Sequence, residues 1–125
     1  MLKTILYVDD EDNLLELVKD FFEMQGYIVF TANNGEAGLQ IVHDKKPDLV
    51  ITDLDMPGMG GIEMTRQIRS HFPLLPVVAV SGVFTPERIP VLEQLGIKHR
   101  VSKPFKFEDL ETAIKQAHQE SLVHD

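Results

Sequence analysis

The sequence predicts an α/β fold, a (βα)5 doubly wound five-stranded parallel sheet, and three observations carry that prediction. Short apolar runs of strand length alternate with longer stretches of helical period, which is the βαβ signature. Turn-forming residues punctuate the joins, among them Gly26, Asn33-Asn34, Pro57-Gly58, Gly60-Gly61 and Pro73. Four of the apolar runs stop at a chemically competent residue: Asp9-Asp10, Asp53, Ser81 and Lys103. Ligands in open parallel sheets bind at the carboxyl ends of the strands, beside the point where strand order reverses, so this fold would gather those four ends.

Taken in order, Ile5, Leu6, Tyr7 and Val8 form the first strand and lead into Asp9-Asp10. A helix follows, with Leu14, Leu17, Val18, Phe21 and Met24 expected on its buried face, and Gly26 ends it as glycine commonly does past a C-terminus. Ile28 and Phe30 mark a second strand. Asn33 or Asn34 caps the next helix, which carries Ala37, Leu39, Ile41 and Val42. Leu49, Val50, Ile51 and Thr52 form the third strand, ending at Asp53. The glycines of the loop at 56–61 allow positive φ or close approach of backbone to a ligand.

A third helix is expected over about residues 62–70, with Pro73 and Pro76 bracketing the turn into a fourth strand, Val77 to Val80. Thr85-Pro86-Glu87 is a helix start signal, but Pro90 removes a donor and disfavours helical geometry at Ile89. The fourth helix should therefore be short, starting near Pro90, or irregular in its first turn. A fifth strand ends at Val101-Ser102, and a last helix covers roughly 107–117. The whole reads as one domain over residues 1–125 with its core at about 3–117, and with 118–125 as a tail or the start of a linker.

Composition narrows the function. With 43% apolar and 26% charged residues the chain is an ordinary globular sequence. Its formal net charge of −8 and lack of a basic block argue against direct nucleic-acid binding. No apolar run approaches the roughly 20 residues that span a bilayer, and no signal-peptide core precedes Asp9. The absence of cysteine excludes disulfides and thiolate metal sites and suits a cytoplasmic domain. The histidines at 43, 71, 99, 118 and 124 lack ligand spacing and read as surface residues.

Asp9, Asp10 and Asp53, brought side by side, would repel one another unless they share a cation. Their ligands are hard oxygens, which favours Mg²⁺. Taken singly, each has an ordinary explanation: Asp9-Asp10 as a helix cap, Asp53 as a loop cap, Lys103-Pro104 as a turn. Their joint placement, one after another at strand ends, points to chemistry on a phosphoryl group.

The residues Val8-Asp9-Asp10-Glu11, Asp53-Leu54-Asp55-Met56-Pro57-Gly58-Met59-Gly60-Gly61, Ser81-Gly82 and Lys103-Pro104-Phe105 together resemble the response-regulator receiver domain of two-component signalling. The resemblance implies a flavodoxin-like strand order of 2-1-3-4-5, an order for which receivers are themselves a standing example. It implies Asp53 as phosphoacceptor, Asp9 and Asp10 as the acidic pair for Mg²⁺, the backbone carbonyl of Asp55 as a further metal ligand, and Ser81 and Lys103 as contacts of the phosphoryl oxygens. It also implies a cis Lys103-Pro104 bond and a histidine kinase or histidine phosphotransfer protein as donor. A downstream effector protein or domain would read the signal, with phosphorylation-dependent dimerisation as an option. Such a domain is a switch that catalyses its own aspartyl phosphorylation and dephosphorylation, not an enzyme acting on other substrates.

Two positions depart from the family. Arg100 stands where receivers usually carry Tyr or Phe, and burying a guanidinium is costly, so Arg100 is expected simply to stay outside; the functional alternative for this switch position is that the aromatic switch is absent and Ser81 couples differently to the output face. Asp55 adds a fourth carboxylate near the metal, which would tighten Mg²⁺ binding or repel a phosphoryl donor. The alternatives are a degenerate receiver acting as an unphosphorylated binding module, and a haloacid-dehalogenase-like phosphatase. The latter is weakened by the acidic pair preceding Asp53-Leu54-Asp55 and by the little chain left for a substrate pocket.

Overall fold

The computed structural model describes residues 1–122, folded as five strands and five helices in strict alternation. They are β1 (Thr4–Val8), α1 (Asp12–Met24), β2 (Ile28–Ala32), α2 (Gly35–Lys45), β3 (Leu49–Asp53), α3 (Gly61–His71), β4 (Val77–Ser81), α4 (Arg88–Gln94), β5 (His99–Ser102) and α5 (Phe107–Leu122). The strands form one parallel sheet in the order β2-β1-β3-β4-β5, the order that the resemblance implies. No helix among the described residues is long and apolar enough to cross a membrane.

A parallel sheet covered on both faces needs strands that are apolar at nearly every position, and β3 and β4 are buried throughout. Alternation divides their side chains between two cores. Ile5, Tyr7, Leu49, Ile51, Val78 and Val80 pack against Leu15, Val18 and Phe22 of α1 and Leu110, Ile114 and Ala117 of α5. Leu6, Val8, Val50, Val77 and Ala79 face the other way, toward Val42, Met64, Ile68 and Leu92.

Three local features follow from identifiable chemistry. Asn34 caps α2, its side-chain oxygen accepting from Ala37 N at 2.8 Å. Gly26 takes φ +98° just past α1, where a side chain would be strained. Arg69 of α3 turns inward beneath the sheet, donating to the carbonyls of Leu95 at 2.7 Å and Leu75 at 2.5 Å, and so ties α3 to the end of α4. Burial weakens its hold on a proton, a cost that those carbonyls offset.

The structure corrects the expected face of α1. Leu15, Val18 and Phe22 are buried, whereas Leu17 is 54% and Met24 83% exposed, with Leu14 and Phe21 only half-buried. Val18 is buried as expected; the helix has apolar residues on two adjoining arcs, and docking on Ile5 and Tyr7 turns the one with Leu15, Val18 and Phe22 inward. Helix α4 is short, as expected, but begins at Arg88, two residues ahead of Pro90. Pro90 falls in the first turn, where its missing N–H costs little. A turn in which Arg88 N and Ile89 N donate to Thr85 O leads into it. Helix α5 continues past Ala117 to Leu122, so residues 118–122 of the expected tail are helical, and the rest of that tail lies outside the described residues.

Gly61, the first residue of α3, sits against the strand that ends in Asp53. A Cβ there would collide with Asp53 O and stand 2.9 Å from Thr52 Oγ1, whereas one at Gly82 would meet nothing within 4 Å. Gly61→Ala is therefore expected to lower unfolding stability by about 1–3 kcal/mol, and Gly82→Ala by less than about 0.5 kcal/mol, in paired denaturant melts. Equal melts would show that the contact yields freely.

Candidate functional site

Register delivers the site. Val8 pairs with Thr52 and Asp53 with Val80, so Asp9 and Asp53 lie level at the carboxyl edge, and Lys103 N donates to Ser81 O one strand further on. Asp9 is fully buried and Asp53 is 4% exposed, while Asp10 stands in solvent. Carboxylate oxygens of Asp9, Asp10 and Asp53 lie within 4.8 Å of one another. Among the described residues no histidine joins this group.

Lys103 is the counter-charge. Its Nζ lies 2.8 Å from Asp9 Oδ2, 3.1 Å from Asp53 Oδ2 and 2.9 Å from Glu11 Oε1. The Lys103–Pro104 peptide is cis. Tyr7 OH donates to Asp9 Oδ2 at 2.6 Å, and Glu11 N donates to Asp9 Oδ1 at 3.0 Å, so Asp9 is held on both oxygens. Asp55 N donates to Asp53 Oδ1 at 3.1 Å.

The electrostatics follow from burial against pairing. Desolvation raises the Asp53 pKa above the usual carboxylate range, and the nearby Asp9 charge adds to it; the Asp55 N–H and Lys103 only partly offset these effects. Lys103 shows the reverse balance. Burial disfavours its charge, but bonds to Asp9, Glu11 and Asp53 outweigh that and raise its pKa above the ordinary lysine value. Burial, then the bond to Asp9, pushes the Tyr7 phenol far above its ordinary range, so it remains a donor.

Ser81 belongs to a second network on the far side of Asp53. Its hydroxyl lies 2.8 Å from Asp55 Oδ2 and 2.9 Å from Val83 O, either of which can accept its single proton, and it accepts from Val83 N at 3.0 Å. Arg88 grips Asp55 with Nη2 at 2.5 Å from Oδ1 and Nη1 at 3.3 Å from Oδ2. Its bonds to Asp55 hold that carboxyl below the usual range, against the pull of burial. The Asp55 side chain is thus committed to Arg88 and Ser81. Arg100 is exposed, as expected.

Residues 5–115 match the family model for the response regulator receiver domain. The chain belongs to that family. This receiver is 34% identical to the regulatory protein AtoC of Escherichia coli over 113 residues, which cover 90% of the chain but only 24% of AtoC. It is 32% identical to sporulation initiation phosphotransferase F of Bacillus subtilis over 116 residues, covering 93% of this chain and 94% of that one. The crystal structure of a CheY-like receiver domain protein from Methanospirillum hungatei superposes with a TM-score of 0.91 at 28% identity, covering 98% of each chain.

The receiver's acidic trio suits a divalent cation: all of its donors are carboxylate oxygens, close enough to share an ion, with one of them open to solvent. Tyr7, Glu11 and Arg88 are the contributors that the sequence reading left without a role. Tyr7 was within reach of it, since a polar-tipped ring two residues before Asp9 points to the same side of the strand. Arg88 carried no such signal.

Because the folded pKa of Asp53 is raised, its protonated form stabilises the fold below the unfolded value of roughly 4, and that contribution is lost as pH rises through the folded pKa. Asp53→Asn should therefore melt higher than the wild type at pH 7, with the gap closing near pH 4. Mg²⁺ should raise the wild-type melting temperature more than that of the variant. A variant that melts lower at pH 7 would show that Lys103 more than offsets the repulsion.

Proposed function

We propose that this receiver accepts a phosphoryl group on Asp53 from a phosphohistidine donor, with Mg²⁺ bound by Asp9, Asp10, Asp53 and the Asp55 carbonyl. The observation that carries the reading is the convergence of Asp9, Asp53 and Lys103, buried or nearly so, at one sheet edge. An Asp53 carboxylate oxygen attacks phosphorus; the O–P bond forms as the P–N bond breaks, and the electron pair leaves with the donor imidazole. Lys103, held by Asp9 and Glu11, stands beside Asp53 to offset charge on the phosphoryl oxygens, and Asp55 N fixes the carboxylate rotamer. When bound, Mg²⁺ supplies further charge neutralisation. Water attack on the aspartyl phosphate resets the switch, so the domain catalyses changes only in its own state.

The outer stripe of α1, with Leu17 and Met24 exposed and Leu14 and Phe21 half-buried, gives the donor a place to dock. Leu14, Leu17, Phe21 and Met24 follow one another at helical spacing, and Phe21 meets Phe107 at 5.2 Å, which in turn meets Phe105 at 6.0 Å beside Lys103. That continuity supports a histidine kinase or phosphotransfer protein seated over the pocket. The acidic surface supports protein partners over nucleic acid, and we place the domain in the cytoplasm. Output, including any dimerisation, would use the face of α4, β5 and α5 that carries Arg100.

Intact mass after incubation with Mg²⁺ and a small acyl phosphate should show one added phosphoryl group, absent without metal and absent in Asp53→Asn. A folded, Mg²⁺-binding wild type that gains nothing would favour an unphosphorylated binding module. Leu17→Ala should slow transfer from a phosphohistidine protein by about five- to thirtyfold, and from the small donor far less. Equal losses with both donors would remove α1 from the docking face.

A further inference from the structure

The grip of Arg88 spans a junction that the phosphoacceptor chemistry leaves unused. Arg88 opens α4, Asp55 follows β3, and Ser81 ends β4, and the side chains of all three meet here. Besides Asp55, Arg88 Nη1 donates to Val83 O at 3.0 Å and lies 3.4 Å from Ser81 Oγ. The arginine side chain is 24% exposed, against 56% for Asp55, so the pair lies at the mouth of the site.

Besides this grip, the end of α4 is held by Thr85, whose carbonyl accepts from Arg88 N and Ile89 N and whose hydroxyl accepts from Arg88 N at 3.2 Å. The helix buries only Leu92, and its N-cap, Glu87, makes no side-chain bond. The Ser81 proton is also contested. It serves Asp55 or Val83 O in this structure, yet Ser81 is one residue beyond the neighbour of Asp53 on the sheet. A phosphoryl group on Asp53 would bring about −1.5 to −2 charges and strong acceptor oxygens into competition with one Asp55 carboxylate.

We propose that Arg88 is a positioning residue that couples Asp53 to α4. With Asp53 free, Arg88 and Asp55 hold the Ser81 hydroxyl and the first turn of α4 together; when Asp53 carries a phosphoryl group, Ser81 turns to it, the Asp55–Arg88 grip loosens, and the first turn is released. This inference rests on Asp53 as phosphoacceptor. It also gives the receiver a route to its α4 face that does not pass through position 100, where Arg100 lies outside.

Hydrogen exchange over residues 83–90 tests the coupling in the wild type, Arg88→Ala and Asp55→Asn, each with Mg²⁺, before and after addition of acetyl phosphate, with intact mass recording phosphorylation. In the wild type, phosphorylation should speed exchange by roughly tenfold, the scale of one lost charge-assisted hydrogen bond. Both variants should exchange at the faster rate from the start and respond less than about twofold to phosphorylation. Should Arg88→Ala fail to fold, Asp55→Asn, which changes no residue of α4, decides. The inference is overturned if phosphorylated wild type shows no change over 83–90, if the variants start at the resting rate, or if they respond by the same factor as the wild type. A wild type that gains no phosphoryl group overturns the Asp53 reading and this one with it.

Discussion

Two buried carboxylates facing one ammonium is the interaction around which this molecule is arranged. Asp9 and Asp53 lose their water at the edge of the sheet, and Lys103 meets both within 3.1 Å. A buried charge left alone would cost several kcal/mol, so Asp9 depends on Lys103 and Tyr7, and Lys103 in turn on its carboxylate partners. Every strand contact that sets their register is therefore part of the site: the pairing of Val8 with Thr52, of Asp53 with Val80, and the bond from Lys103 N to Ser81 O. Tyr7 extends the requirement into the core, because its fully buried ring sits among Ile5, Val18 and Phe22 while its hydroxyl steadies Asp9.

The two sides of the sheet edge are built differently. Toward α1, the pocket is bounded by Glu11, the cis Lys103–Pro104 peptide and Phe105, and an aromatic chain runs on to Phe107 and Phe21. Toward α4 the boundary is polar, made of Asp55, Ser81 and Arg88. An apolar shoulder suits a partner that comes and goes, and a polar network suits a response to charge. One pocket thus has an apolar side and a polar side, both set by which loops follow β3, β4 and β5.

Fold and site were legible to different degrees, for physical reasons. Strand ends are local signals, so Asp9, Asp53, Ser81 and Lys103 could be read directly, and the strict alternation of runs left one architecture. The buried arc of α1 could not be chosen from spacing, since Leu14, Leu17 and Phe21 compete with Leu15, Val18 and Phe22 at the same period; only docking on Ile5 and Tyr7 decides. Pro90 marked α4 as short and placed its start to within two residues, since a proline in a first turn removes a donor that has no helical acceptor. Arg88 was invisible for another reason. Its partner lies 33 residues away on a different strand end, and no local pattern announces such a pair.

Helix α4 is held at its two ends by two arginines of unlike character. At its far end Arg69, half-buried under the sheet, fastens the carbonyl of Leu95 to α3 and to the loop before β4. At its near end Arg88 holds an exposed carboxylate. The first anchor is backbone and sheltered from solvent ions; the second is ionic and open to them. Added salt therefore acts unequally on the two ends of this short helix, screening the exposed Asp55–Arg88 pair and leaving the half-buried Arg69 contacts largely untouched.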